Sequence, residues 1–301
     1  MKTLTQCPLC GSGELTRLPF EYWYQFERYP ASKCRACGLV FLSVQPDRET
    51  LNEMYDADYF ESDFRCGSEP AAGLGGRQSE KIFAEEARSA LRLIRELTGR
   101  NGGRLLEVGC AGGWFVKAAA EQGWEAKGVE LSREAVDFAR QKLGVDVFCG
   151  ELAEAKFPAG SFDVVYMADV LEHVAEPVAF VREARRILAD DGHVVLCGPT
   201  ALNALSRRLG LAAYSLAKRT RSIALAPYHL FEYTPRTLRL LFEKNGFKVT
   251  TLDSRKIRPS LRAFGLEDVV MFGLEAITWP ATALLGIWGD RVILCARAVE
   301  T

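Results

Sequence analysis

From Arg104 the chain reads RLLEVGCAGGWF, an apolar run rich in Leu and Val, then a Gly-dense turn, then Trp114, Phe115 and Ala118 at helical spacing. This predicts a buried strand running into a helix N-terminus. Further apolar runs repeat the theme. Trp124–Leu131, Ser161–Tyr166, Gly192–Leu196, Phe247–Leu252 and Val292–Ala296 read as strands, and a helix runs up to Leu188. Upstream, Phe83, Ala87, Ala90, Leu91, Ile94 and Leu97 recur at helical spacing, which predicts a helix over Ser79 to Leu97. Thr234 and Pro235 have the residue types of an N-cap and an N1 position, and Asn245-Gly246 closes the helix they open.

The Gly-dense corner suits a nucleotide-like ligand. Gly109 and Gly113 remove side chains where the turn is tight and a ligand must approach the backbone, and the helix start offers unpaired N–H groups. The dinucleotide fingerprint G-x-G-x-x-G is absent; the residues are Glu107, then Gly109, Ala111 and Gly113 at alternate positions. Near the end of the next strand stands Glu130, about 20 residues on, where an acid accepts both hydroxyls of a ribose.

This arrangement resembles motif I of the class I S-adenosylmethionine (SAM) methyltransferases, with Ala111 in the place of the commoner middle Gly. The resemblance runs from Gly102 to Leu196. Gly150-Glu151-Leu152 to Phe157-Pro158 is similar to the family's adenine-contacting acid and loop, and Asp169-Val170-Leu171-Glu172-His173-Val174 follows strand four. The likeness implies an α/β, Rossmann-like seven-stranded sheet of order 3-2-1-4-5-7-6. It also implies SAM as cofactor, held by Glu107, Gly109, Cys110, Ala111, Gly113, Glu130, Leu131, Glu151, Leu152, Ala168 and Asp169.

Composition adds a second element. Two C-x-x-C-G knuckles, Cys7-Pro8-Leu9-Cys10-Gly11 and Cys34-Arg35-Ala36-Cys37-Gly38, have the spacing of a closed four-thiolate Zn²⁺ site, a structural zinc ribbon. Nine cysteines, an odd number, fit thiols and metal ligands better than disulfides. Charged residues at 26% and hydrophobic ones at 48% describe an ordinary soluble protein, and a net charge of −1 argues against a general nucleic-acid binder. MKTLTQCPLC has no apolar signal segment, so the cytoplasm is expected. The aromatic residues between the knuckles, Phe20, Tyr22, Trp23, Tyr24, Phe26 and Tyr29, are expected to pack the ribbon on the main domain or to wall a substrate pocket.

The expected division is residues 1–45 as the ribbon, 46–100 as a helical linker and cofactor-cleft cover, and 101–301 as the SAM-binding domain with an inserted flap at 199–227. Tyr55, Tyr59 and Phe60 resemble the cleft-covering stretch of zinc-ribbon methyltransferases; core packing is the alternative. Cys66 to Gln78, rich in Gly and Pro, reads as a linker. In the flap, Leu202, Leu205, Leu209, Ala212 and Leu216 are expected on one helical face, with Arg207, Arg208, Lys218, Arg219 and Arg221 adding charge. A substrate lid, a contact to phosphate or to a membrane surface, and a plain solvated face all fit it. Val269 to Gly289 approaches transmembrane length, but Glu275, Pro280 and internal Gly favour a helix packed on the sheet or facing lipid peripherally.

Methyl transfer from a sulfonium needs mainly alignment of the acceptor and removal of its proton. Candidate bases lie at the carboxyl ends of strands four and five: His229, His173 and Glu172, with Asp169 beside them, whereas His193 enters a strand and reads as structural. Asp169, Glu172 and His173 also resemble the acid-His metal cluster of ubiquinone-pathway O-methyltransferases; the alternative has the Glu capping a helix and the His bonding backbone. Zinc-ribbon methyltransferases of this kind belong to natural-product, deoxysugar and surface-glycan routes, and those that methylate sugar carbon carry a further C-terminal domain. The expectation is therefore O-methylation of a small-molecule, sugar or glycan acceptor. Rival readings are an RNA methyltransferase using ribbon and flap for contact, and a SAM-binding protein without catalysis.

Overall fold

The computed structural model describes residues 1–54, 76–255, 272–273, 276–280, 284–285 and 288–299. The N-terminal part contains β1 (Lys2–Thr3), β2 (Leu15–Tyr24), β3 (Glu27–Cys34), β4 (Val40–Leu42), β5 (Val44–Gln45) and α1 (Arg48–Met54). Next come α2 (Gly76–Thr98), β6 (Gly103–Val108), α3 (Trp114–Glu121), β7 (Trp124–Glu130), α4 (Arg133–Phe138), β8 (Val147–Cys149) and β9 (Phe162–Ala168). The chain continues through α5 (Pro177–Ile187), β10 (Leu188–Pro199), α6 (Leu205–Leu216), β11 (Arg221–Ile223), β12 (Phe231–Glu232), α7 (Pro235–Glu243), β13 (Phe247–Arg255) and β14 (Arg291–Ala298).

Seven strands form the main sheet in the order β8-β7-β6-β9-β10-β14-β13, which counted along that sheet is 3-2-1-4-5-7-6, as the resemblance implies. Only β14 runs antiparallel to its neighbours, β10 and β13. Because strand side chains alternate, each strand feeds both faces. Leu105, Val164, Val195 and Cys295 meet Leu91 and Ile94 of α2 and Phe115 of α3 on one face. Leu106, Val165, Leu196 and Leu294 point to the other, where the core continues through Leu230 and Phe231 into Phe20, Tyr29 and Phe41 of the N-terminal part. The aromatic residues between the knuckles thus include part of a shared core. Thr234 caps α7 with its side chain accepting from Thr237, in a reciprocal capping box.

The second sheet has the order β11-β2-β3-β4-β12. Its hairpin strands come from the cysteine-bearing segment, while β11 comes from the flap and β12 from the residues just after it. The flap helix is shorter than expected. Leu202 lies on a separate 3-10 turn, Ala201–Asn203, and the helix carries only Leu205, Leu209, Ala212 and Leu216 of the expected apolar face. Ser206 is buried and Leu211 packs on the core, whereas Leu209 and Leu216 are 47% and 86% exposed.

Tyr55, Tyr59, Phe60, Cys66 and about half of 269–289 lie outside the described residues. Among the described residues no helix is long and apolar enough to cross a membrane.

Candidate functional site

The corner after β6 is built from close backbone approaches. Gly109 and Cys110 both donate to Val129 O, at 2.8 and 3.2 Å, tying the turn to β7. Gly109 has φ +69°, and a Cβ there would stand 2.5 Å from Val170 Cγ2, so only glycine fits. Ala111 takes φ +44°, the left-handed conformation that the commoner Gly would adopt without strain. Cys110 is buried with its Sγ against Gly128, and its carbonyl accepts from Gly113 N at 2.8 Å, which closes the turn.

Two carboxylates converge on this corner. Glu130 accepts from Ala111 N at 2.9 Å, Leu131 N at 2.8 Å and Ser132 N at 2.9 Å. Burial nevertheless raises its pKa against those three donors. Glu107 is buried with Oε2 unpartnered, and burial, reinforced by the Glu130 charge, holds its carboxyl well above the usual range. A buried acid with a free oxygen calls for a cation or a donor. The amino group of a SAM methionine moiety is such a partner, so these residues fit the cofactor.

The other expected contacts scatter more widely. Leu152 is buried, Leu131 half exposed, and Glu151 exposed at 3.6 Å from Arg48 of α1. Ala168 ends β9. Asp169 follows at φ +53°, its carboxylate gripped by both arginine nitrogens of Arg291 at 2.7 and 3.0 Å. This pairing gives Asp169, expected on the cofactor side, a partner that sequence reasoning missed.

Beyond β9 a compact acid-imidazole cluster forms. His173 and His229 meet edge to face with ring centroids 4.9 Å apart, and His173 Nδ1 lies 3.0 Å from Tyr228 O. Glu172 is buried, and its Oε1, 3.8 Å from His173 Nε2, has no hydrogen-bond partner among the described residues. It does not cap the following helix, whose N-cap position is Glu176, so the capping alternative for Glu172 is corrected. His173 bonds backbone as the same alternative expected. His229 Nδ1 faces Glu232 Oε1 at 3.5 Å.

These neighbours set opposite tendencies on the two rings. Burial and the nearby His229 push His173 down to about 3, keeping it neutral. Burial opposes charge on His229 too, but Glu232, with Glu172 and Asp169 behind it, outweighs burial and raises its pKa above the ordinary 6.5. Burial lifts Glu172 to about 7. Tyr22 of β2 joins the cluster from the N-terminal sheet: burial and the Glu232 charge push it up to about 12, with Arg207 and Arg221 of the flap acting the other way. His193, in contrast, sits within β10 opposite Val164 and Arg297. Tyr22 is one of the aromatic residues expected to pack the ribbon or wall a pocket, whereas Glu232 was missed in the sequence; its signal was an acid three positions after a histidine in Tyr228 to Glu232. Glu172, His173 and His229 each bring one donor atom within 4.8 Å of the others, so they could also hold a divalent ion.

The four knuckle cysteines form the other metal-competent cluster. Their sulfurs all lie within 4.8 Å of one another, with Cys7–Cys37 and Cys10–Cys34 at 3.5 Å. Zn–S bonds of about 2.3 Å in a tetrahedron give S···S edges of roughly 3.8 Å, so the cage has the size of a zinc site. Gly11 and Gly38, at φ +74° and +89°, let each knuckle turn back. Burial drives the Cys7 thiol up, so four thiolates in this space need a cation among them.

A family profile described as "Methyltransferase domain" matches residues 81–252. "Ubiquinone biosynthesis O-methyltransferase" of Ralstonia nicotianae is 38% identical over 99 residues, 31% of this chain and 42% of that relative. The namesake of Coxiella burnetii strain Dugway is 23% identical over 198 residues, 62% of this chain and 82% of the relative. The chain thus spans about two fifths of the length of the first relatives it matches. Magnesium protoporphyrin IX methyltransferase from Synechocystis PCC 6803, solved with SAH, shares the fold at TM-score 0.53 and 17% identity, covering 84% of this chain and all of that one. A SAM-dependent methyltransferase from Archaeoglobus fulgidus has TM-score 0.50 at 18% identity, over 73% of this chain and 95% of that one. The chain belongs to the methyltransferase-domain family, and its fold is that of the class I SAM-dependent methyltransferases.

Proposed function

We propose that the protein O-methylates a small molecule, with His229 as the base and Glu232 orienting it. The observation that carries this reading is the partly buried cluster of Glu172, His173, His229 and Glu232 at the carboxyl end of β9, where an open α/β sheet presents its ligands. SAM, when bound, supplies a methyl group already activated by the sulfonium. Glu107, Gly109, Cys110, Ala111, Gly113, Glu130, Leu131, Glu151, Leu152 and Ala168 form the cofactor side. Glu232 holds the imidazole by Nδ1, which leaves Nε2 to take the acceptor proton. The relatives' name, an O-methyltransferase, favours oxygen as the acceptor atom.

Arg207, Arg208, Lys218, Arg219 and Arg221 are exposed on the flap. They suit an acceptor carrying an anionic group, such as the phosphate-bearing building blocks of natural-product or surface-glycan routes. Incubation with labelled SAM and a panel of phenolic and sugar-phosphate acceptors tests the assignment. Label on an acceptor oxygen, lost in His229→Ala with SAM affinity kept, is expected. Turnover unchanged in His229→Ala removes the base, and salt-dependent RNA methylation would favour the RNA reading. The three-donor arrangement supports one second reading, a divalent ion at Glu172, His173 and His229. In that case a chelator would abolish turnover in protein whose cysteine site has been left filled.

A further inference from the structure

The cysteine cage and the proposed base are joined through backbone. Within the second knuckle Gly38 N donates to Cys34 O at 3.0 Å and Cys34 N donates to Leu39 O at 2.9 Å, and β4 starts at the next residue, Val40. β4 pairs antiparallel with β12, Val40 opposite Glu232 and Phe41 opposite Phe231, and Leu42 N donates to Leu230 O at 3.0 Å. The same short segment is held from its other side by the turn after β9. Leu230 N donates to Glu172 O at 2.9 Å, and His173 Nδ1 lies 3.0 Å from Tyr228 O. Phe41 and Phe231, each 1% exposed, fill the space between.

β12 is two residues long. A strand that short has no register of its own and takes it from its partner. Its partner β4 in turn follows directly on the second knuckle, whose turn a metal would clamp through the Cys34 and Cys37 thiolates. We infer that the Cys7, Cys10, Cys34 and Cys37 site is a positioning site for the His229 base, acting through the β4–β12 ladder. Metal there sets where the His229–Glu232 pair stands relative to Glu172 and His173. The SAM corner is not on this path: Glu107, Gly109 and Glu130 belong to β6, β7 and the turn between them, and neither strand pairs with the N-terminal sheet. Displacement of a reacting group by about 1 Å can cost roughly 100-fold in rate, so metal occupancy controls turnover while leaving cofactor affinity in place.

The chain has three histidines, which gives a readout independent of activity. Imidazole nitrogen NMR spectra of the full-length, zinc-loaded protein are compared with those of Cys37→Ser and of Phe41→Ala, the signals being assigned from single His→Gln variants. In Cys37→Ser, zinc is lost, the His173 and His229 signals move or broaden, and His193 on β10 holds as the internal reference. SAM affinity by calorimetry stays within about twofold, and turnover falls about tenfold or more. Phe41→Ala keeps all four cysteines and its zinc yet moves the same two signals, so the inference remains testable even where Cys37→Ser unfolds the ribbon. His229 signals unmoved by zinc loss and by Phe41→Ala overturn the inference, as does a loss of SAM affinity matching the loss of turnover. The turnover arm rests on His229 being the base. If His229→Ala keeps full turnover while the His229 signals still follow zinc, that assignment fails and the coupling stands.

Discussion

Replacing Glu232 by Gln probes the proposed base, His229, through its charge. Glu232 Oε1 lies 3.5 Å from His229 Nδ1, with the imidazole side chain 33% and the carboxylate 14% exposed. Unit charges about 4 Å apart interact by roughly 1 kcal/mol in water and roughly 4 kcal/mol at an effective dielectric of about 20. Solvent at the imidazole puts this pair toward the lower end, about 1.5 kcal/mol, or roughly one pKa unit. The remaining influences on His229 persist in the variant: burial lowers its pKa, while Glu172 and Asp169 raise it. His173 is neutral throughout. The base works only when neutral, so wild-type turnover falls as pH drops through a His229 pKa held above 6.5. Without the Glu232 charge that pKa falls, and the acid limb of the kcat profile moves about one unit lower. The Gln amide oxygen still accepts from Nδ1–H, so plateau turnover stays within about tenfold of wild type. Glu172, at about 7, titrates in the same window, so the limb belongs to the pair and Glu172→Gln is measured beside it. An acid limb that stays within about 0.3 unit of wild type in Glu232→Gln refutes the reasoning.

Gly109→Ala places a Cβ 2.5 Å from Val170 Cγ2 at φ +69°, so it should cost about 1–3 kcal/mol in thermal unfolding and weaken SAM binding, with partial recovery in the Val170→Ala background. Ala111→Gly, at φ +44°, should stabilise by about 0.5–1 kcal/mol, because relief of left-handed strain exceeds glycine's entropy cost; a lowered melting temperature would contradict this. Glu130→Ala removes the acceptor of three backbone N–H groups, so calorimetry should show SAM affinity reduced by at least about 2 kcal/mol, and wild-type protein that binds NAD instead of SAM would sink the cofactor assignment.

Six strands of the main sheet were legible as runs bounded by turn residues, and the corner at Gly109 is dictated locally, whereas the three-residue β8 came only with the resemblance. Ala111 shows how far such reading reaches: its departure from the commoner Gly was visible, and the structure shows the backbone keeping its left-handed conformation anyway. The flap helix was found, but Leu202 was assigned to it in error, since a 3-10 turn at Ala201–Asn203 interrupts the chain there and pattern reading assumes one continuous helix. The Arg291 grip on Asp169 joins residues 122 positions apart, and no local period announces such a pair. His229 stood out as a rare residue near the start of a helix. Glu232 did not, because its role depends on which way a two-residue strand turns.

That last failure explains why the cysteine segment had looked like an appendage. Read alone, 1–45 supplies a hairpin with two knuckles and aromatic residues, the expected content of an independent ribbon. Its sheet nonetheless needs β11 and β12 at its two edges, both drawn from beyond residue 220. Edge strands of two or three residues carry too few side chains to show an alternation, so they vanish into a loop when the chain is read in order. Sheet edges are also where unpaired N–H and C=O groups wait for a partner. The chain fills both edges with itself: β11 brings flap arginines toward Tyr22, and β12 carries Glu232 beside His229. A ribbon closed in this way is continuous with the acceptor side of the enzyme, through strands and through the shared core of Phe41, Leu230 and Phe231. A metal at the four cysteines would then have a mechanical reason to be present that it would lack in a separate module.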